Sequence, residues 1–298
     1  MRPALEVCCA AERHYAPHSA AMLHSVIANA GVHPVRVHYL VGPGFPRRAA
    51  GRIGGMVEAL GATVVFREVP DERIAALPDP GGFTGAMWYR LLLAGLAPDA
   101  ERMLYLDVDT LALDDLSPLW EIELGENLVA AATNVFEQRY LHRPRELGLS
   151  GPEAYFNSGV MLFDLAAMRA QRTQEQLVEC AAGRRDLLWP DQDALNIVLG
   201  GRRLHLHPRW NCMNSTLTFA SAGDVYGADA VGQAAARPAI RHFEGPLMNK
   251  PWHLLCDHPH RDRYWRHRRA TPWPLAIPTG VSPRNLWRRV RGRTGVSA

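Results

Sequence analysis

The chain has 298 residues, of which 47% are hydrophobic and 21% are charged. This composition is typical of a globular protein, and the length allows one large domain or two ordinary domains with a substantial core. No apolar run approaches the roughly 20 residues that a membrane-spanning helix needs, so we expect no transmembrane segment.

The net charge of +3 is distributed unevenly along the chain. From Arg261 to the end there are ten arginines and one acidic residue, so the preceding body is net acidic. In this basic tail Trp265 and Trp287 are interleaved with the arginines, a pattern that binds anionic bilayer surfaces. We therefore expect an anionic membrane surface as a partner, and the alternative is a disordered tail that aids solubility. The acidic body argues against nucleic acid.

The N-terminal residues and the cysteines indicate the compartment. Glu6 and Glu12 leave no room for a signal-peptide core. The five cysteines include no C-x-x-C pair, and Cys8 and Cys9 are neighbours, so neither a disulfide framework nor a zinc site is expected. These features predict a cytoplasmic protein, associated peripherally with the inner membrane face through its tail.

The first 70 residues are predicted to form a β-α-β-α-β unit. The strands are expected at 5–11, 34–41 and 62–69, and the helices begin near Pro17 and Pro46 and end before Gly31 and Gly61. Strands alternating with helices predict an α/β fold with parallel strands and crossover helices.

Further elements follow in order. We predict a loop at 78–82, a helix over 84–94, a strand at 103–106, a strand at 127–132, an irregular polar stretch over 135–151 and a strand at 155–163 that is broken at 157–159. A helix over 164–182 has Asp164 as its N-cap, another begins at 189, and strands follow at 203–206 and 240–243. The simplest division is one sheet domain over 1–255 and a basic C-terminal extension over 256–298.

Two carboxylates directly follow the strand at 103–106. In an extended chain Asp107 and Asp109 project to the same side, at the end of a buried strand where open α/β sheets bind ligands. Mg²⁺ and Mn²⁺ prefer such oxygen ligands and often share them with substrate phosphates. The functional interpretation is a metal-diphosphate site, and the simpler one is an acidic turn.

Four short motifs occur in a fixed order. They are Y-L-D-V-D at 105–109, F-N-S-G-V at 156–160, D-Q-D at 191–193, and H-F-E-G at 242–245 followed by K-P-W at 250–252. Each is common alone, but the ordered set resembles glycosyltransferase family 8, the retaining GT-A enzymes that include bacterial lipopolysaccharide α-galactosyl- and glucosyltransferases and glycogenins. The resemblance covers about residues 5–252 and implies a Rossmann-like mixed sheet flanked by helices.

The resemblance also implies an activity and a set of site residues. It implies a metal-dependent retaining hexosyltransferase that moves galactose or glucose from a UDP-sugar to an acceptor hydroxyl, with Mn²⁺ or Mg²⁺ held by Asp107, Asp109 and His242. The catalytic positions match Asp191 and Gln192. The donor-binding positions match Ala10, Glu12, Tyr15, Arg90, Asp107, Val108, Asn157, Ser158, Gly245 and Lys250.

Each of these side chains also has a plainer interpretation. Asp191 can simply complement a helix dipole in a first turn. Tyr15 can be an ordinary core tyrosine, Arg90 half of an ion pair, His242 a structural histidine and Lys250 a solvated surface lysine.

The sequence departs from the family pattern at several positions. Glu12 replaces the usual aspartate and His14 stands where asparagine is frequent, which weakens the expectation of strict uridine preference. The stretch from Gly245 to Lys250 is two residues longer than in the galactosyltransferase branch, and Asn134 replaces an acidic acceptor contact. We therefore expect the loop at 245–250, which closes over the site, to differ in shape from that branch. The identity of the acceptor substrate is not predicted.

Other classes fit less well. A haloacid-dehalogenase-type phosphatase needs Thr or Val at the position of Leu111, and a nucleotidyltransferase needs a Gly-rich first loop that residues 10–15 lack. A non-catalytic nucleotide-sugar or carbohydrate-binding protein of the same fold is the alternative. For the enzyme, Gln192 is a poor nucleophile, so we expect a front-face displacement in which the leaving phosphate helps to deprotonate the acceptor.

Overall fold

A computed structural model of the chain describes residues 2–79 and 84–294. Its strands are β1 Leu5–Ala10, β2 Val35–Val41, β3 Thr63–Glu68, β4 Arg102–Leu106, β5 Thr110–Ala112, β6 Val129–Thr133, β7 Phe156–Asp164, β8 Arg203–His205 and β9 Ile240–His242. Seven of them form one mixed sheet in the order β3-β2-β1-β4-β7-β6-β8, and β5 pairs with β9 in a small second sheet. β7 runs antiparallel to both of its neighbours, whereas the other pairs of the large sheet are parallel.

Helices cover both faces of the large sheet. The α-helices are α1 Ala16–Ala28, α2 Arg47–Ala59, α3 Asp71–Ile74, α4 Leu93–Leu96, α5 Ser117–Trp120, α6 Arg143–Glu146, α7 Leu165–Ala170, α8 Thr173–Gly183, α9 Pro190–Leu199, α10 Asn214–Thr218, α11 Ala222–Tyr226, α12 Ala228–Ala236, α13 Arg261–Arg269 and α14 Pro283–Thr294. The 3₁₀ helices are Arg13–Tyr15, Gly85–Leu92, Gln138–Tyr140, Pro152–Ala154, Gly200–Arg202, Pro208–Asn211 and Leu247–Asn249.

The core has one layer on each face of the sheet. Side chains alternate along each strand, so Val7 and Cys9 of β1 join one apolar cluster while Cys8 joins the other. On β4, Leu104 belongs to the first cluster and Tyr105 to the second. Burial on both faces explains why the central strand β4 is almost continuously apolar in sequence.

The predicted β-α-β-α-β unit is confirmed in residues 5–68, as are the Asp164 cap and the helix that begins near Trp189. The Asp164 side chain accepts a hydrogen bond of 2.8 Å from the Ala167 backbone N–H. The predicted loop at 78–82 falls partly outside the described residues.

Four local predictions are wrong. Residues 84–94 form a 3₁₀ helix followed by α4, because the stretch Ala86–Leu92 is buried and its packing overrides the helical period. β7 is unbroken through 157–159, and the irregular pairing falls in β6 instead. The predicted helix at 164–182 is divided, because Arg172 has a positive φ of 53°. The stretch 135–151 contains a 3₁₀ turn and α6.

The beginning of the C-terminal extension packs on the body of the protein. Tyr264 of α13 is buried with Trp252, and its hydroxyl lies 2.6 Å from Nδ1 of His18 on α1. The division at residue 255 stays a prediction. In the part of the chain that the structure describes, no helix is both long and apolar enough to cross a lipid bilayer.

Candidate active site

The D-x-D motif lies in a turn between two strands. β4 ends at Leu106, the chain turns over residues 107–109, and β5 begins at Thr110. The Thr110 backbone N–H and hydroxyl both donate to the Asp107 carbonyl, at 3.1 and 2.7 Å, and close this turn. The two carboxylates do project to the same place, as expected, but this turn brings them together and strand alternation does not, since the backbone leaves the strand at Asp107.

The small sheet brings His242 to both carboxylates. β5 pairs antiparallel with β9, and Thr110 lies opposite His242. The imidazole Nε2 is 3.9 Å from Oδ2 of Asp107 and 3.4 Å from Oδ1 of Asp109. One ligand atom from each of the three residues lies within 4.8 Å of the others. Two carboxylate oxygens and one imidazole nitrogen suit a divalent cation such as Mn²⁺ or Mg²⁺.

Gly159 makes room for the His242 ring. A Cβ atom at position 159 would lie 2.2 Å from Cε1 and 2.8 Å from Nδ1 of that ring, much closer than atoms pack. The Nδ1 atom lies 2.9 Å from Oδ1 of Asn211, which leaves Nε2 facing the two aspartates. The residues present therefore fit a divalent cation.

Lys250 is the only lysine among the 298 residues, beside 32 arginines. Its Nζ lies 2.5 Å from Oδ2 of Asp109 and 3.2 Å from the Phe243 carbonyl oxygen. Burial alone would raise the pKa of Asp109, but the charge of Lys250, together with the neighbouring imidazole of His242, holds that pKa well below its usual range. Burial lowers the pKa of the Lys250 ammonium, but the carboxylate of Asp109 opposes this effect, and the pKa lies above its usual value. Both groups therefore stay charged.

Arg90 links the D-x-D turn to α9. Its Nη2 donates to Oδ1 of Asp107 at 2.8 Å, and its Nε lies 3.0 Å from Oδ2 of Asp191. The guanidinium also stacks over the Tyr105 ring, 4.6 Å from its centre. Burial raises the pKa of Asp191 to about 6; Arg90 opposes this shift and Asp107 adds to it.

The side chain of Gln192 is held from two sides. Its Oε1 accepts hydrogen bonds from the Ser158 backbone N–H at 2.9 Å, the Ser158 hydroxyl at 3.2 Å and Nδ2 of Asn157 at 3.2 Å. Its Nε2 donates to the Tyr155 hydroxyl at 3.2 Å. Because a backbone N–H can only donate, the amide oxygen of Gln192 must face Ser158.

Two cavities meet at the D-x-D turn. The first, which we name the β1 cavity, has a volume of about 210 Å³ and is lined by Ala10, Glu12, Tyr15, Arg90, Asp107, Val108, Asp109 and Lys250, among others. The second, the α9 cavity, has a volume of about 640 Å³, and its lining includes Asp107, Asp109, Asn157, Gln192, His242, Gly245 and Lys250. Asp107, Asp109 and Lys250 line both cavities, so these charges stand where the two spaces join.

The structure brings together most of the residues that the sequence singled out. Ser158 and Asp191 differ from the rest, since neither lines the β1 or the α9 cavity. They contact the residues that do line the cavities instead. Ser158 hydrogen-bonds to both Arg90 and Gln192, and Asp191 forms an ion pair with Arg90.

Several residues of the site were missed. Trp252 lines the β1 cavity with Tyr15, and the K-P-W motif was the signal that marked it. Asn211 contacts His242 from a short 3₁₀ helix, and no sequence signal pointed to it. Tyr140 and Trp189 line the α9 cavity with ring centres 5.2 Å apart.

A protein-family model and several known proteins are similar to this chain. The family described as Glycosyl transferase family 8 matches residues 6–256. The chain is 29% identical over 275 residues to General stress protein A of Bacillus subtilis, covering 90% of this chain and 94% of that protein. It is 24% identical over 229 residues to Lipopolysaccharide 1,3-galactosyltransferase of Salmonella typhimurium, covering 74% of this chain and 65% of that protein.

A solved structure extends the comparison to three dimensions. The galactosyltransferase LgtC, crystallised with donor and acceptor sugar analogues, superposes with a TM-score of 0.77 at 25% sequence identity. The match covers 95% of this chain and 99% of that one. With a family match over most of its length and this structural similarity, the chain belongs to glycosyltransferase family 8 and is a glycosyltransferase with the GT-A fold.

Proposed function

We propose that this glycosyltransferase moves a galactosyl or glucosyl group from a UDP-sugar to an acceptor hydroxyl, with retention of configuration and with Mn²⁺ or Mg²⁺ held by Asp107, Asp109 and His242. The observation that carries the proposal is the meeting of two cavities at this cluster, with Lys250 beside it. A cation bound there supplies Lewis-acid stabilisation of the diphosphate charge as the glycosidic bond breaks.

The β1 cavity suits the nucleotide of the donor. Tyr15 and Trp252 offer aromatic surface to a base, with ring centres 6.2 Å apart, and Glu12 offers a carboxylate to polar groups. Arg90 and Lys250 direct two positive charges toward the junction of the cavities, where a diphosphate would lie. Because both cations are held by buried carboxylates, they are oriented before the donor arrives.

The α9 cavity suits the sugar and the acceptor. Tyr140 and Trp189 supply aromatic surface, and Asn134, Asn214 and Glu137 supply polar groups for hydroxyls. Gln192 lies between this cavity and β7. We propose that its amide N–H₂ and the side chain of Asn157 orient the transferred sugar.

The hydrogen bonds of Gln192 favour a front-face displacement. Its Oε1 already accepts three hydrogen bonds, so the lone pairs of this oxygen are engaged. The carboxylate of Asp191 is paired with Arg90 and lines neither cavity. In the proposed step the acceptor oxygen bonds to the anomeric carbon on the face from which the diphosphate departs. The acceptor proton passes to the departing phosphate oxygen. Trapping a glycosyl adduct of Gln192 or Asp191 by mass spectrometry would refute this step.

The decisive experiment measures donor use. The purified protein is incubated with UDP-, GDP- and dTDP-hexoses, with and without Mn²⁺, and nucleotide release is followed for the wild type, Asp109→Ala and Asp229→Ala. Asp229 is an exposed aspartate on α12 that lines neither cavity, and it serves as the control. We expect Mn²⁺-dependent UDP release that Asp109→Ala abolishes and Asp229→Ala retains. Absence of nucleotide release from every nucleotide sugar, with Mn²⁺ present, would favour the non-catalytic alternative.

We further propose that the protein is cytoplasmic and that its C-terminal extension binds the anionic surface of the inner membrane. Leu275 and Ile277 are 95% and 82% exposed, and Trp287 and Val290 of α14 are more than half exposed. Exposed apolar side chains among many arginines are typical of segments that lie in a bilayer interface. Flotation with anionic vesicles tests this, with uncharged vesicles as the comparison, and equal recovery with both would contradict it.

A further inference from the structure

Two buried amide side chains, those of Asn211 and Asn157, are hydrogen-bonded in series to His242 at its Nδ1 atom, away from the two aspartates. The Nδ1 atom of His242 lies 2.9 Å from Oδ1 of Asn211, whose Nδ2 lies 2.9 Å from Oδ1 of Asn157. The same Asn157 oxygen accepts a hydrogen bond of 3.0 Å from the Gly159 backbone N–H. Asn211 and His242 are 0% and 2% exposed, so water does not compete for these contacts.

The donor and acceptor of each of these hydrogen bonds follow from the one backbone group among them. The Gly159 N–H can only donate, so the atom of Asn157 that faces it is the amide oxygen. Asn211 must then present its NH₂ group to that oxygen, which turns its own amide oxygen toward the imidazole. An amide oxygen only accepts hydrogen bonds, so the Nδ1 atom of His242 must carry the hydrogen.

We propose that Asn157 and Asn211 form a hydrogen-bond relay that holds neutral His242 in the Nδ1–H tautomer and presents its Nε2 lone pair to Asp107 and Asp109. Neutral imidazole has a single N–H, so the nitrogen that is not protonated is the one that can bind a cation. Asn211 is therefore a positioning residue for His242. This role rests on the proposed metal centre, whereas the tautomer itself is a property of the metal-free protein.

Asn211 is a cleaner residue to test than Asn157. Nδ2 of Asn157 also donates to Gln192, so a change there would disturb two parts of the site at once. Asn211→Leu removes the acceptor at Nδ1 with little change in volume. Asn211→Asp keeps an acceptor oxygen for Nδ1–H and removes the donor to Asn157. Asn29→Leu is the control, because Nδ2 of Asn29 hydrogen-bonds to the backbone carbonyls of Ser25 on α1 and Ala112 on β5, and not to His242, Asn211 or Asn157.

The tautomer is read by ¹⁵N NMR of the metal-free protein at a pH where its histidines are neutral. The chain has 13 histidines, and the His242 signals are identified by their loss in His242→Gln. We expect Nδ1–H in the wild type, in Asn211→Asp and in Asn29→Leu, and a shift toward Nε2–H in Asn211→Leu. An Nε2–H tautomer in the wild type or in Asn211→Asp would overturn the relay, as would an unchanged tautomer in a folded Asn211→Leu.

Mn²⁺ affinity provides a second reading that does not depend on catalysis. Electron paramagnetic resonance of free Mn²⁺ in the presence of UDP gives the dissociation constant. We expect Asn211→Leu to weaken Mn²⁺ binding by about 10- to 100-fold, the range for groups that orient metal ligands, and Asn29→Leu to leave it unchanged. Unchanged affinity in Asn211→Leu would overturn the positioning role. If wild-type protein binds no Mn²⁺, the proposed metal centre fails, and the tautomer measurement still decides whether the relay exists.

Discussion

The imidazole of His242 lies directly against the α-carbon of Gly159, where a methyl group would fall 2.2 Å from the ring. This contact joins the F-N-S-G-V motif of β7 to the H-F-E-G motif at the end of β9, two segments separated by more than 80 residues. Any side chain at position 159 would collide with the imidazole. The position of His242 beside the two carboxylates therefore depends on the glycine.

Gly159→Ala is expected to displace the His242 ring. We expect Mn²⁺ binding in the presence of UDP to weaken by about 10- to 100-fold, because the ligand loses its orientation. Isothermal titration calorimetry measures this effect. Gly232→Ala, in α12, is the matched control, because nothing lies within 4 Å of its added methyl group. It should keep wild-type affinity, and wild-type affinity in Gly159→Ala would contradict the prediction.

Lys250 is expected to act through a compact ammonium group rather than through charge alone. Hydrogen bonds to charged groups contribute about 1.5–3 kcal/mol, so Lys250→Met should lower kcat/KM for the donor by about 10- to 100-fold. Lys250→Arg should fail to restore it, because a planar guanidinium does not fit the position between Asp109 and the Phe243 carbonyl. Steady-state kinetics measures both variants, and full activity of Lys250→Arg would refute the geometric argument.

The single lysine permits a direct spectroscopic test. Reductive methylation with ¹³C-formaldehyde labels Lys250 as the only side-chain amine of the chain and preserves its charge. Because Nζ lies 2.5 Å from Asp109, Mn²⁺ added with UDP should broaden the dimethyl-lysine signal strongly, and Mg²⁺ should not. Lys250→Arg identifies the signal by its absence. A signal that stays sharp in the presence of Mn²⁺ and UDP would argue against a metal at this position.

Asp191 is expected to make stability depend on pH. Burial raises its pKa from 3.8 to about 6, opposed by Arg90 and aided by Asp107. A carboxyl group whose pKa is raised by folding stabilises the fold in its protonated form. This contribution is complete below about pH 4 and is lost as the pH rises through about 6. For a shift of this size the wild type should lose up to about 3 kcal/mol from this group.

Asn at position 191 does not titrate, so Asp191→Asn should gain stability relative to the wild type between about pH 4 and about pH 7. Urea unfolding at several pH values measures the difference in the free energy of unfolding. Asp229→Asn, at an exposed position, should show a difference that is nearly independent of pH. The prediction is wrong if the Asp191→Asn difference is flat as well.

The extended segment before α14 is expected to enter the bilayer interface. Leu275→Ser with Ile277→Ser removes two exposed apolar side chains. At about 1.5 kcal/mol or more for each apolar side chain buried, partitioning into anionic vesicles should fall at least about tenfold. Vesicle sedimentation measures the partition coefficient, and donor hydrolysis should be unchanged because neither residue lines the β1 or α9 cavity. Unaltered partitioning would assign binding to the arginines alone.

The sequence by itself determined the fold class and marked most of the residues that the structure brings together at the candidate site. The alternation of strands and helices in residues 5–68 is set by local hydrophobic period, and the ordered motifs mark Asp107, Asp109, His242 and Lys250 as candidates. Local pattern was misleading where burial was complete: residues 86–92 are all buried, the charged Arg90 included, so packing rather than period chose the 3₁₀ geometry.

Only the tertiary structure decided how the motifs act together. Asp107 and Asp109 come together through a turn and not through strand alternation, and His242 joins them because β5 pairs with β9. Asn211 carried no signal in the sequence, since a lone asparagine in a short connection matches no motif. Its hydrogen bonds to His242 and Asn157 join residues 31 and 54 positions away, and contacts of that range arise only when the chain has folded.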